Sequence, residues 1–390
     1  MEGHREMMHG SRAVAEAVKL SDVKVIAAYP ITPQTHIVED LAEFIANGEL
    51  KAEYIKVESE HSAMSACIGA SATGARTFTA TASQGLALMH ELLFVASGMR
   101  LPIVMANANR ALSAPLSIWN DQQDTISERD AGWIQLYVEN GQEALDTTIQ
   151  AFRIAEDRRV SLPTMVCLDG FVLTHTVEPV EVPSEEMVEK YIPPFKPSVF
   201  LDPQEPMTQG AFAEPPYYTE FRREQEETMR RALEVIREAD REYGRLTGRS
   251  YGLLEEYNTE GAEVVLVTMG SVAGTIKEVI DALKVPVGLI KLKAYRPLPK
   301  RELLEALKGA KVVGVLEKDV SVGLGEGALF SELKGLLYRA AERPKLLGFI
   351  AGLGGRDITP KDIEGVIAKA RKALKEEIEE VHWVGLKVQA

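Results

Sequence analysis

The sequence predicts an α/β protein in which a doubly wound parallel sheet precedes a second, smaller α/β domain. Short apolar segments of strand length alternate with helical patterns from the start of the chain, which is the rhythm of βαβ units. Segments such as 102–106 are continuously apolar, as expected for parallel strands that helices cover on both faces. The length agrees with two domains, because 390 residues exceed what one hydrophobic core usually serves.

The predicted strands follow from these apolar segments. Those of the first domain span residues 23–30, 54–59, 77–82, 102–109 and 163–169. Those of the second domain span residues 263–269, 285–295, 312–317 and 346–350. The last helix has a clear N-terminal capping pattern, with Thr359 as N-cap, Pro360 at the first helical position and Asp362 nearby.

Four segments are predicted along the chain: a first domain at 1–182, a proline-rich connector at 183–217, an amphipathic helix with its linker at 218–258, and a second domain at 259–390. Eight prolines between 183 and 216 predict an extended, irregular connector that wraps another surface. Apolar residues then recur at spacings of three and four from Phe221 to Tyr243. This helix packs either on its own domain or against a partner.

Composition excludes several functional classes. No apolar segment reaches the ~18 residues of a membrane span. A net charge of -14 without a basic block argues against nucleic-acid binding. The acidic first residues do not resemble a secretion signal, so a cytoplasmic location is expected. Cys67 and Cys167 are the two cysteines and form no CxxC motif, so any redox centre must lie on other chains.

Polar side chains follow four of the predicted strands where each strand ends, in the segments 29–33, 58–61, 81–85 and 107–110. Because ligands of open α/β sheets bind outside the carboxyl ends of the strands, these segments are expected to form one site. Known catalytic motifs are absent: the sequence contains no GxSxG, GxxxxGK[ST] or clustered His/Cys set. The glycine-rich segments at 323–327 and 352–355 lack the GxGxxG spacing and are interpreted as turns.

Thr32 and Pro33 fit the N-cap and first residue of a helix around 37–45, but a hydroxyl there could also donate to a small carboxylate. Ser83 and Gly85 similarly fit a capping turn. Arg110 follows a strand and either clamps a carboxylate or forms a surface ion pair. The polar loop 119–124 that comes next fits a cap for the following helix.

Glu60 and Glu58 lie where a strand gives way to a helix of very small residues, which packs closely. A capping role is favoured by the helix dipole. The alternative is that a neighbouring surface encloses Glu60, whose carboxyl group then has a proton to share. His61 is interpreted as structural, since no HxH or HExxH spacing accompanies it.

In combination, YPITP at 29–33, ESEHSA at 58–63, TASQGL at 81–86 and NRA at 109–111 resemble the multi-subunit 2-oxoacid:ferredoxin oxidoreductases, specifically the alpha subunits of the pyruvate-oxidising type. VTMGS at 267–271 and GLGGRD at 352–357 extend the resemblance over nearly the whole chain. The resemblance implies a thiamine-diphosphate pyrimidine-binding-type domain followed by a transketolase-C-terminal-like domain. It also implies oxidative decarboxylation of pyruvate with coenzyme A to acetyl-CoA, carbon dioxide and reduced ferredoxin.

The resemblance also implies cofactors and partners. Thiamine diphosphate would be shared with a partner subunit, because this chain lacks the GDG-type motif that holds the diphosphate and Mg²⁺. The 4Fe-4S clusters would lie on partners of the beta, gamma and delta type, and electrons would pass to ferredoxin. No metal is expected on this chain.

Site roles are implied position by position. Glu60 would hydrogen-bond N1′ of the aminopyrimidine and favour the imino tautomer that deprotonates the thiazolium C2, and Thr32 and Arg110 would bind the 2-oxo acid. The expected cofactor-lining residues are Tyr29, Pro30, Ile31, Ser83 and Gln84.

Three alternatives remain open. Relatives that act on branched-chain 2-oxo acids such as 2-oxoisovalerate share the motifs at 29–33 and 58–63, although 110–115 and 118–121 look closer to the pyruvate type. A transketolase-like or acyl-transfer enzyme would use thiamine diphosphate without ferredoxin. A non-catalytic scaffold subunit would need neither Glu60 nor Arg110.

Overall fold

The computed structural model describes residues 3–387, and within them the strands form two large sheets and a two-stranded ribbon. The predicted domain ends at residues 1–2 and 388–390 lie outside the described residues. The strands are β1 His4–His9, β2 Val25–Ala28, β3 Glu53–Lys56, β4 Thr77–Thr81, β5 Val104–Asn109, β6 Ile134–Tyr137, β7 Thr164–Asp169, β8 Val177–Val182, β9 Leu254–Tyr257, β10 Val264–Thr268, β11 Val287–Leu292, β12 Ala294–Arg296, β13 Val312–Glu317, β14 Lys345–Ile350 and β15 Val381–Trp383.

Helices separate most of these strands. They are α1 Gly10–Leu20, α2 Thr35–Ala46, α3 Glu60–Ala72, α4 Ser83–Leu88, α5 His90–Gly98, α6 Gln123–Ser127, α7 Gly141–Ala155, α8 Glu185–Tyr191, α9 Pro215–Thr247, α10 Val272–Leu283, α11 Lys300–Ala306, α12 Ala328–Leu337 and α13 Pro360–Lys372, with a short 3-10 turn at Leu353–Gly355. Among the described helices none is both long and apolar enough to cross a bilayer.

The first sheet has the strand order β12-β6-β7-β5-β4-β2-β3, and β2 to β7 run parallel. Its two faces are both covered. Val104 and Ala106 of β5 pack in the core with α1, α2 and α7, whereas Met105 between them packs in the core with α3 and α5. The predicted doubly wound sheet is confirmed.

The second sheet has the order β15-β14-β13-β10-β11-β9, parallel except for β9. Here one prediction is wrong, because the segment 285–295 is not a single strand. β11 stays in the second sheet, but β12 crosses over and pairs antiparallel with β6 at the edge of the first sheet. Pairing with β12 satisfies backbone groups that the edge strand β6 would otherwise expose, and it ties the two domains together.

The connector predicted at 183–217 contains α8, a short helix that Ser184 caps by accepting from Met187 N, and it ends at 214 because α9 already begins at Pro215. α9 then runs for 33 residues and ends at Gly248, whose φ of 76° is a left-handed cap. Its buried residues, including Ile236 and Tyr243, pack on the first domain. The prediction of a long amphipathic helix is confirmed, and its second half packs on its own chain.

The predicted cap of α13 is confirmed as a reciprocal capping box. Asp362 N donates to Thr359 Oγ1 at 3.2 Å, and Thr359 N donates to the Asp362 carboxylate at 2.9 Å.

Candidate active site at the carboxyl edge of the first sheet

The neighbouring strands β5, β4, β2 and β3 end on the same side of the sheet. The segments that follow them therefore come together as predicted. They supply Arg110 after β5, Ser83 after β4, Thr32 after β2 and Glu60 after β3.

Glu60 is the first residue of α3, and Ser59 caps this helix by accepting from Ser62 N at 3.2 Å. The Glu60 side chain is nevertheless turned inward, since the residue is only 7% exposed. A Cβ built on Gly85 would lie 2.6 Å from Glu60 Oε1 and 2.5 Å from Thr81 Oγ1, so only glycine fits beneath the carboxylate. Within the described chain the Glu60 carboxylate has no hydrogen-bond or ion-pair partner. An enclosed acid without a partner is available to a ligand.

The helix predicted around 37–45 begins at Thr35, so Thr32 is not its N-cap. Gln34 explains the difference: its side chain donates to Ala80 O at 2.7 Å and accepts from Ile31 N at 3.2 Å. These bonds hold residues 29–33 as a loop against β4 rather than as a helical turn. Tyr29, Pro30 and Thr32 of this loop are exposed at the edge of the sheet.

Arg110 is buried and has no acidic partner on the surface, so the interpretation as a surface ion pair is wrong. Its Nη1 donates to Thr32 O at 2.9 Å and its Nε donates to Ser117 O at 2.8 Å. Burial lowers the pKa of the Arg110 guanidinium, and the carboxylate of Asp124 opposes this effect. Nη2 has no partner among the residues that the structure describes, so the guanidinium can still bind an anion.

Ser83 is fully buried and adopts a φ of 48° at the start of α4. It does not cap the helix, because Ala82 is the N-cap and no side chain caps this end. Its Oγ lies 2.5 Å from Ala111 O and 2.6 Å from Gln84 Oε1. The Gln84 Nε2 atom is buried and lacks a partner among the described residues, so it is free to donate to a ligand.

The polar loop before α6 caps that helix in part, as predicted: its N-cap Gln122 makes no side-chain hydrogen bond there, but Asp121 Oδ1 accepts from Gln123 N at 3.1 Å. The same loop also joins the two domains. Gln122 N donates to Lys318 O at 2.8 Å, and Gln122 Nε2 donates to Asp169 at 3.1 Å. Asp169, at the end of β7, accepts from Lys318 Nζ at 2.7 Å and from Ser271 N at 2.7 Å. Burial would raise the pKa of Asp169, but Lys318 and Ser271 hold it below its ordinary value.

We expect Lys318→Met to destabilise the chain by about 3 to 5 kcal/mol, because it leaves the Asp169 carboxylate buried without its cation. Equilibrium denaturation in urea measures the change. Lys372→Met is the matched control: the Lys372–Glu376 pair is more than half exposed and contributes at most about 1 kcal/mol. Equal losses for the two variants would contradict the interdomain role of Lys318.

Asp121, in the same loop, accepts from Gly354 N at 3.0 Å and so also contacts the second domain. Burial raises the pKa of Asp121 to about 7, and the carboxylates of Asp124 and Asp319 add to the shift. The folded chain therefore holds this proton more tightly than the unfolded chain, whose aspartate titrates near 3.8. This contribution to stability is largest below the unfolded pKa and is lost as the pH rises through the folded pKa.

Between pH 5 and pH 8 we expect the unfolding free energy of the wild-type chain to fall by about 2 kcal/mol more than that of Asp121→Asn. The asparagine side chain has no carboxyl proton, so it does not titrate in this range. Denaturation curves at a series of pH values measure both slopes, and parallel curves would contradict the expectation.

Comparison with known proteins agrees with this architecture. Residues 16–241 match the family described as "Pyruvate flavodoxin/ferredoxin oxidoreductase, thiamine diP-bdg", and residues 262–363 match "Pyruvate:ferredoxin oxidoreductase core domain II". The chain therefore belongs to the pyruvate flavodoxin/ferredoxin oxidoreductase family, a family of oxidoreductases.

Within this family the chain is similar to subunits of pyruvate synthases and of ketoisovalerate oxidoreductases. It is 56% identical to "Pyruvate synthase subunit PorA" of Methanothermobacter thermautotrophicus over 99% of each chain, and 58% identical to that of Methanocaldococcus jannaschii over 98% of each. It is 46% identical to "Ketoisovalerate oxidoreductase subunit VorA" of Pyrococcus horikoshii over 98% of each. The resemblance predicted from the motifs is confirmed.

Solved structures share the fold. A 2-oxoglutarate:ferredoxin oxidoreductase from Magnetococcus marinus has a TM-score of 0.71 at 21% identity, covering 94% of this chain and 65% of that chain. A split-gene transketolase has a TM-score of 0.53 at 12% identity, covering 94% and 99% respectively. The chain thus has the α/β architecture of thiamine-diphosphate-binding proteins.

The residues present fit the aminopyrimidine half of thiamine diphosphate. That ring needs an acid at one ring nitrogen, an acceptor at its amino group and a donor at its other ring nitrogen. Glu60 offers an enclosed carboxyl group, while Thr81 Oγ1 and Gln84 Nε2 are buried polar atoms without partners in the described residues. Within the same residues, the acidic cluster that could hold a metal ion, Glu139 with Glu143 and Glu255, is neutralised by Lys277 and Lys291 instead.

Proposed function

We propose that this chain is the alpha-type subunit of a complex that oxidatively decarboxylates pyruvate with coenzyme A and passes the electrons to ferredoxin. The observation that carries the proposal is the buried carboxyl group of Glu60, which has no partner among the described residues, on the same edge of the sheet as the buried guanidinium of Arg110, whose Nη2 has no partner among them either. The greater identity to PorA subunits, 50–58% against 46% for VorA, supports pyruvate over a branched-chain acid.

When bound, thiamine diphosphate supplies the carbanion chemistry of decarboxylation. The chain's own residues orient the cofactor and the substrate. The Glu60 carboxyl group would hold and return a proton at the ring nitrogen N1′. Tyr29, Pro30 and Ile31 line the mouth of the site from the β2 loop.

Substrate binding falls to Arg110 and Thr32. Arg110 is anchored through Nη1 and Nε to two carbonyl groups, so its remaining nitrogen is presented in a fixed direction to the carboxylate of the 2-oxo acid. Thr32 is exposed beside it and its hydroxyl can donate to the same substrate. Ser83 and Gln84 form the wall on the β4 side.

Partner subunits complete the proposal. The chain has no GDG-type motif for the diphosphate and Mg²⁺, and its two cysteines are buried. Burial raises the pKa of the Cys67 thiol to about 12, so it is not a ready cluster ligand. The metal, the 4Fe-4S clusters and the ferredoxin contact therefore belong to beta, gamma and delta-type subunits of one cytoplasmic complex.

Purification of the native complex through a tag on this chain, under anaerobic conditions, tests the shared site. We expect the complex to contain thiamine diphosphate and iron, and the separated chain to retain neither. Thiamine diphosphate without iron would instead support a transketolase-like or acyl-transfer enzyme. A complex that contains both and keeps full activity with Glu60→Ala and Arg110→Ala would support a scaffold subunit.

A further inference from the structure

Asp124 lies directly beneath the candidate site, and the proposed reaction assigns it no role. It is the second residue of α6 and is 2% exposed, so it does not reach substrate or cofactor. Buried carboxylates are costly unless they are satisfied by hydrogen bonds. The partners of Asp124 therefore indicate why it is there.

The two oxygens of Asp124 accept five N–H groups, which come from both sides of the site. Oδ2 accepts from Ser83 N at 2.9 Å and from Arg110 N at 3.1 Å. The other donors are Asn107 Nδ2 at 2.9 Å, Asn109 Nδ2 at 2.8 Å and Thr125 N at 2.8 Å. Every partner is a donor, so the arrangement suits an ionised carboxylate.

These bonds join the segments after β4 and β5 through the backbone N–H groups of Ser83 and Arg110, the two residues that the proposed function places at the site. Ser83 has a φ of 48°, a conformation that non-glycine residues rarely adopt, and its N–H is held by Asp124. The Arg110 N–H is held by the same oxygen, so the backbone that carries the guanidinium is fixed relative to the Ser83 wall. The negative charge of Asp124 also faces the guanidinium within the buried edge.

We propose that Asp124 is a positioning residue for the 2-oxo acid: it acts through the backbone of Arg110 and Ser83 and sets where the guanidinium meets the substrate. This role rests on the proposed function. A small displacement of a substrate-binding group can lower the rate about 100-fold, so the effect of losing this anchor is measurable.

Asp124→Asn tests the role with little change in volume. An amide has one acceptor oxygen and one NH₂ group. The NH₂ group replaces either Oδ1 or Oδ2, and the N–H groups that donated to that oxygen lose their acceptor. We expect kcat/KM for pyruvate to fall about 10-fold or more, while the KM for coenzyme A stays within about twofold. Asp240→Asn is the matched control, because Asp240 is also 2% exposed and accepts from Tyr251 N and Gly252 N, far from the site.

A double-mutant cycle with Arg110→Ala separates positioning from general stability. If Asp124 acts through Arg110, adding Asp124→Asn to Arg110→Ala causes a much smaller further loss than Asp124→Asn causes alone. A merely structural residue would lower activity by the same factor in both backgrounds.

Amide hydrogen exchange in the assembled complex gives a readout that does not depend on turnover. We expect the amides of Ser83 and Arg110 to exchange at least about tenfold faster in Asp124→Asn, and those of Tyr251 and Gly252 to respond to Asp240→Asn instead. If Asp124→Asn does not assemble, Asn107→Ala removes one donor to Asp124. Asn107 Oδ1 accepts no hydrogen bond from the described residues, so removing the Asn107 side chain leaves no other donor without its acceptor.

The outcomes are distinct. The positioning role would be overturned if Asp124→Asn and Asp240→Asn lowered kcat/KM for pyruvate equally, or if the losses in the double-mutant cycle multiplied. The proposed function would still stand in either case, provided that the wild-type complex turns over pyruvate. A wild-type complex that oxidises no 2-oxo acid would overturn the proposed function, and the positioning role with it.

Discussion

Glu60→Gln is expected to lower pyruvate-dependent electron transfer by about 10²- to 10⁴-fold, which is the range for loss of a positioned proton-transfer group. The glutamine side chain has nearly the same shape, so it fits against Gly85 and preserves α3. It cannot hold and return a proton at N1′. Initial rates of dye reduction under anaerobic conditions measure the loss, and subunit and thiamine diphosphate contents check that the complex is intact.

Glu58→Gln is the matched control, two residues before Glu60 and outside α3. Glu58 is exposed, and its Oε1 accepts from Ser62 Oγ at 2.5 Å at the start of that helix. We expect turnover by this variant to stay within about twofold of the wild type. Near-normal turnover by Glu60→Gln would refute the role of Glu60.

Arg110→Ala has the second largest expected effect, a fall of about 100-fold in kcat/KM for pyruvate. It removes the cation that we propose binds the substrate carboxylate, and it removes the two hydrogen bonds to Thr32 O and Ser117 O. The KM for coenzyme A is expected to change little. Arg110→Lys retains the charge but cannot donate to both carbonyl groups and to an anion at once, so it should recover only part of the activity.

Steady-state kinetics with pyruvate and coenzyme A varied separately measure this prediction. Arg223→Ala on the exposed face of α9 is the control, because its ion pair with Glu227 is solvent-exposed. Unchanged kcat/KM for pyruvate in Arg110→Ala would show that the 2-oxo acid binds elsewhere.

Much of the architecture could be predicted because it depends on local pattern. The apolar segments within β5 and β7 form fully buried strands, and polar residues that follow β4 and β5 lie at the candidate site. An enclosed Glu60 is one of two interpretations that a single acidic residue in a first turn allows. Structure is needed to choose between them, because the choice depends on Gly85 of α4, a helix that follows a different strand.

Other features depend on distant contacts that leave no periodic signal. β1 pairs antiparallel with β8, more than 160 residues away, and four of its six residues are exposed, so no apolar pattern marks it. β12 follows β11 after one residue yet joins the other sheet. The start of α2 is set by the hydrogen bond of Gln34 to β4, which Thr32 and Pro33 do not reveal.

The contacts of Asp124 within the site also leave no pattern in the sequence. The sequence places it in a polar loop before a five-residue helix, where an N-terminal cap is the ordinary expectation. Its five donors come from the start of α4, from β5 and the residue after it, and from its own helix, and only the folded chain brings them together. A buried carboxylate that gathers the ends of neighbouring strands has no sequence signature of its own.

The most direct test of the central claim is turnover by the native complex, purified anaerobically through a tag on this chain. Reduction of a viologen dye is recorded with pyruvate or 2-oxoisovalerate, each with and without coenzyme A. We predict reduction that requires both pyruvate and coenzyme A and that is much faster than with 2-oxoisovalerate. A preference for the branched acid would contradict the substrate assignment, and no reduction by a complex containing iron and thiamine diphosphate would contradict the proposed function as a whole.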